Sequence, residues 1–173
     1  MRKGRNKKTV LIVVLLLVVG TGLLGFNNLS GLFGGPGAAA RSTREVAMSC
    51  TLDMYTQFHI HPRLTTVVNG EPQTVPASIG ITLGCMHPIH THDASGSIHV
   101  ESPEQRDFTL GDFFAVWGQA FNKNEISTSG GDYKTDANHE IVMTVDGKTS
   151  DQYENLVLKD LQQIAIEYKV VNK

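Results

Sequence analysis

Pro62-Arg63-Leu64-Thr65-Thr66-Val67-Val68-Asn69-Gly70-Glu71-Pro72-Gln73-Thr74-Val75-Pro76 is a β-hairpin written in sequence. Two runs with β-branched residues meet at Asn69-Gly70, the pair that tolerates positive φ at both central positions of a tight type I′ turn. The strands are expected at about 58–68 and 72–76. Downstream, 76–93 is rich in Gly, Pro and His and reads as a loop, and Gly96 to Glu101 reads as a third strand.

From Phe108 to Phe121 the period changes. Leu110, Phe113, Phe114, Trp117 and Phe121 recur at helical spacing and form one apolar stripe, so the spacing predicts a helix whose aromatics are core. Thr109 is placed to cap its first turn, with Asp112 where a capping-box acid belongs. A polar loop containing Gly130-Gly131 follows. Glu140 to Val145 then alternates into the turn pair Asp146-Gly147, and Gln163 to Val170 closes the chain as a strand. The fold class expected is α+β: a small mixed sheet with one packed helix, β-grasp-like in its order of elements. The turns VVNG and TVDG are alike, but four residues do not make a repeat.

Six of the seven histidines fall between His59 and His99, mostly as His-x-His pairs. Residues two apart share one face of an extended chain, so His59 with His61, and His90 with His92, can each aim two imidazoles at a common point. Phe58, Ile60, Ile98 and Val100 are then left for the core. Neutral imidazole is a ligand that zinc and copper favour, and several converging with a carboxylate make a four-coordinate site. The expected metal ligands are His61, His90, His92 and His99, with His59 next. Asp93 and Glu101 are candidates for a ligand, for a partner that orients an imidazole, or for a general base. His87 and His139 lie outside the paired pattern and are read as ordinary surface or core residues.

The first 40 residues differ from the rest. Arg2, Lys3, Arg5, Lys7 and Lys8 form a basic tail over 1–8. The uncharged stretch that follows, 9–26, would span ~27 Å as a helix, close to the thickness of a bilayer core. The expectation is a single-pass cell-membrane anchor with a cytoplasmic N-terminus and the remainder outside. A cleaved signal peptide ending near Ala38-Ala39-Ala40 is the alternative, although the apolar run is long for one. The Gly- and Ala-rich stretch 27–44 reads as a flexible linker, which leaves 45–171 as the extracytoplasmic domain.

All 17 acidic residues follow the apolar run, together with 10 of the 15 basic ones, so the part expected to be exported carries 10 − 17 = −7. That balance disfavours nucleic acid and suits attraction of cations. The two cysteines, Cys50 and Cys85, lie on the side where thiols oxidise, and a disulfide between them is expected. Free thiols, or Cys85 as a thiolate ligand, remain alternatives.

The block CMHPIHTHDASGSIHVESPEQRDFTLGDFFAVWG (85–118), with HIHPRLTTVVNGEPQTVPASIGI (59–81), resembles a family of exported, often membrane-anchored prokaryotic His-rich domains. The resemblance implies a common domain outside the membrane and brings no activity or ligand with it. His-x-His is also similar to the opening of the cupin motif. That motif places a Glu shortly afterwards, whereas Glu101 lies nine residues beyond His92. HExxH, GxSxG and glycine-rich phosphate-loop patterns do not occur. The sequence therefore points to a membrane-anchored metal-binding module for copper or zinc acquisition, buffering or delivery. A metal-dependent enzyme using Glu101 or Asp93 as general base, and a metal-free interaction domain, are the alternatives.

Overall fold

The structure, a computed structural model, describes residues 40–51 and 57–171. The expected membrane span over 9–26 lies outside the described residues. Among those described, no helix is long and apolar enough to cross a membrane. The chain divides into two units, Met1–Ala40 and Arg41–Lys173, and the fold that follows is that of the second.

A short helix, α1 (Thr43–Ala47), opens it, closed at its start by a reciprocal capping box between Ser42 and Glu45. Then come β1 (Phe58–Ile60), β2 (Arg63–Val68), β3 (Glu71–Gln73), β4 (Ile81–Thr82), β5 (Cys85–Met86), β6 (Ile89–His90) and β7 (His99–Ser102). Among the described residues the longer helix, α2 (Leu110–Trp117), is followed by β8 (Phe121–Asn122), β9 (Glu125–Thr128), β10 (Gly131–Lys134), β11 (His139–Val145) and β12 (Lys148–Ser150). A 3-10 turn at Tyr153–Asn155 leads to β13 (Gln163–Val170).

The largest sheet has the order β12-β11-β13-β2-β3. The final strand runs parallel to β2, with Ile164 opposite Leu64, and antiparallel to β11, so the sheet is mixed as expected. Leu64, Thr66 and Val68 alternate inward on β2, as do Ile164, Ile166 and Tyr168 on β13. One face is therefore core and the other solvated. Both edge hairpins turn as their sequences indicate: Asn69 and Gly70 have φ of 50° and 86°, Asp146 and Gly147 51° and 76°.

Four expectations need correction. The strand expected over 58–68 is two strands in two different sheets, divided at His61-Pro62, because Pro62 has no N–H to give a ladder. The His61 amide donates instead to Asp160 Oδ1 at 2.9 Å, and the Pro62 carbonyl accepts from the Ile98 amide at 2.9 Å. The expected loop over 76–93 contains the β4–β5 hairpin and β6. The polar loop around Gly130-Gly131 is the turn of the β9–β10 hairpin. The helix expected over 108–121 stops at Trp117, because Gly118 takes the left-handed cap at φ 77°.

Phe121 nevertheless reaches the core from β8, stacked on Phe114 at 4.5 Å. Phe113, Phe114 and Leu110 are fully buried in the same cluster as Leu64, Ile89, Val100 and Ile164. The cap of α2 is the reciprocal pair anticipated: Thr109 N donates to Asp112 Oδ2 at 2.8 Å and Asp112 N to Thr109 Oγ1 at 3.2 Å. Arg44 of α1 meets the other Asp112 oxygen at 2.8 Å, which ties the two helices together.

Candidate metal centre

The histidines are organised by a small antiparallel sheet of order β1-β7-β6, with β7 in the middle. Its register sets His59 opposite Glu101 and His90 opposite His99. Ile60 and Ile89 both face Val100 across the ladder, and all three are buried. The pleat sends alternate residues to opposite faces, so with the isoleucines and valine in the core the four polar side chains share the other face. His61 and His92 extend the same alternation one step past the ends of β1 and β6. The buried residue between each pair, Ile60 or Thr91, fixes the facing of its neighbours.

The rings converge. His59 and His61 have centroids 4.4 Å apart and His90 and His92 4.7 Å, while His99 lies 4.7 Å from His61 and 4.5 Å from His92. Among the described residues this cluster supplies two groups of donors that fall within 4.8 Å of one another, His90, His92, His99 and Glu101, and separately His59, His61 and His99; a third group, Cys50, Cys85 and His87, has its sulfurs in the disulfide. All five sequence-derived ligands and Glu101 are therefore brought together, from three separate segments of chain.

The first group has the chemistry of a metal site. His90 is fully buried and its Nδ1 lies 2.9 Å from the His87 carbonyl. A carbonyl only accepts, so Nδ1 carries the proton and Nε2 presents a bare lone pair. That Nε2 accepts a hydrogen bond from His92 Nε2 at 3.1 Å. Two nitrogens bound at ~2.0–2.1 Å to one ion stand about 3.3 Å apart at a tetrahedral angle and about 2.9 Å at a right angle, so the spacing fits a shared ion. His99 Nδ1 is buried without a hydrogen-bond partner among the described residues. Its nearest carboxylate oxygen, Glu101 Oε1, is 3.8 Å away, beyond hydrogen-bond range. A buried nitrogen without a hydrogen-bond partner, in a group of four donors that could hold a metal ion, is available as a ligand.

Glu101 Oε1 accepts from His59 Nε2 at 3.0 Å and is largely buried. Burial lowers the pKa of His90, opposed by its bond to His87 and by the charge of Glu101. His99 is lowered first by burial and then by crowding from His92, His61 and His90. Both shifts favour the neutral ring, the form in which an imidazole can bind a metal.

Asp93 stands outside both donor groups. The Ser95 hydroxyl first, and then the Ser95 amide that donates to its Oδ1 at 2.8 Å, hold its carboxyl below the usual range. Cys50 and Cys85 form a disulfide, so Cys85 offers no thiolate. His139 pairs with Asp136 and stacks on Tyr168. His87 donates Nδ1–H to the Ala47 carbonyl at 3.1 Å, and through its own carbonyl it orients His90. That orienting role was missed, although the spacing of His87 and His90 is its only trace in sequence. Asp160, 99 residues from His61 along the chain, left no trace at all.

No family model matches the chain, and neither a curated protein nor a solved structure matches it.

Proposed function

We propose that this is a metal-binding module that takes copper or zinc through His90, His92 and His99, with Glu101 completing the donor set, and serves acquisition, buffering or delivery of the ion. The observation that carries the proposal is the unpartnered, buried Nδ1 of His99 amid three converging donors. The acidic balance of the chain beyond residue 44 supports it by attracting cations. Glu101 already accepts from His59, which suits a ligand or orienting partner better than a free general base.

The same reading takes the five-stranded sheet as β-grasp-like, since one hairpin precedes α2, another follows it, and the last strand lies between them parallel to the first. It places the domain outside the cell membrane behind an N-terminal anchor, among the exported His-rich domains that its HTHD, IHVE and FTLGDFF elements resemble. Elemental analysis after exhaustive dialysis tests the function. Wild type is expected to retain about one equivalent or more of copper or zinc, and a His90→Ala, His92→Ala variant far less. Equal, sub-stoichiometric metal in both would overturn it.

A further inference from the structure

His99 is the one residue common to both donor groups. It sits at the centre of the cluster, its ring 4.5 Å from His92 on one side and 4.7 Å from His61 on the other. An imidazole carries two nitrogens that point in divergent directions, and one of them, Nδ1, is buried without a partner. His59 and His61 are half-exposed, with side-chain accessibilities of 44% and 38%, and stand together on the open side of the sheet.

We infer that the cluster holds two ions at once, His90 and His92 grasping one, His59 and His61 the other, and His99 shared between them through its two ring nitrogens. The inference rests on the metal-binding reading and adds a second position to it. A neutral His99 carries one ring proton, so binding through both nitrogens releases that proton to solvent as the second ion enters. The two cations stabilise the resulting imidazolate. Two bonds of ~2.0 Å laid on either side of the ring put the ions about 6 Å apart. Glu101, which accepts from His59 while belonging to the His90 group, stands beside both positions. The inner position, built on the fully buried His90, fills first, and the outer one, on exposed histidines, loads and unloads more readily.

Titration of the purified full chain with copper(II), followed by electron paramagnetic resonance, tests the sharing. Wild type is expected to bind two ions. The spectrum should be that of an isolated ion at the first equivalent and should lose integrated intensity during the second, as the two spins couple through His99. His59→Ala with His61→Ala leaves the core strands intact and should bind one ion, uncoupled at every loading. His99→Ala, with its fold checked by circular dichroism, should never show coupling. Two uncoupled ions in wild type, or two ions in the His59→Ala, His61→Ala variant, would overturn the sharing. One ion in wild type would overturn the second position while leaving the metal-binding reading in place. No ion at all would sink both.

Discussion

At the scale of single residues, the site depends on positions that look unremarkable in sequence. Gly96 has φ +83°, a Cβ built on it would lie 2.2 Å from the Leu64 carbonyl oxygen, and the Leu64 amide donates to the Gly96 carbonyl at 2.8 Å. Gly96→Ala therefore meets a left-handed backbone cost of about 1–3 kcal/mol and a steric clash besides. Urea unfolding should show a midpoint well below wild type, and an unchanged midpoint would mean that β2 and the approach to β7 do not meet as described. His90 and His99 make a second prediction. Their folded pKa values lie below the ordinary 6.5, so as pH falls the unfolded chain takes up protons first. Stability is full above that ordinary value and is lost as pH falls from it toward the lowered folded values. Thermal midpoints of the metal-free protein should drop as pH falls below the ordinary value, and His90→Ala should flatten the dependence.

At the scale of elements, Thr109 and Asp112 hold the start of α2 by two reciprocal bonds. Thr109→Ala should cost about 1 kcal/mol, read from chemical denaturation, and Thr109→Ser should restore most of it. This cap was legible in sequence because it is local, as were the Asn69-Gly70 and Asp146-Gly147 turns and the β13 strand. The histidine pairs were legible for the same reason, since period two is a property of neighbours. What failed was division and pairing. Pro62 carried the signal that breaks 58–68, but the apolar alternation on either side ran through it. The partnership of β1 with β7 joins residues about 40 positions apart and is set by burial of Ile60 against Val100, which no short window contains. The helical period runs on past Trp117 because Phe121 keeps it while serving the core from another element.

At the scale of the whole molecule, the Cys50–Cys85 disulfide closes a separation of 35 residues and pins the segment after α1 to the β4–β5 hairpin. By chain entropy, Cys50→Ser with Cys85→Ser should destabilise by about 3–4 kcal/mol, seen as a lower guanidinium midpoint. The same change should weaken metal retention, because His87, two residues on, is anchored to Ala47 and in turn orients His90. The stitching of the centre to the end of the chain has a consequence in time. Every histidine of the cluster has been synthesised by residue 99, yet His61 is held by Asp160, and Arg63 donates to the Gln162 carbonyl at 2.8 Å. The sheet that sets His59, His90 and His99 side by side is complete by Ser102, whereas the backbone at His61 finds its partner only when Asp160 has been made, so His61 is the histidine fixed last.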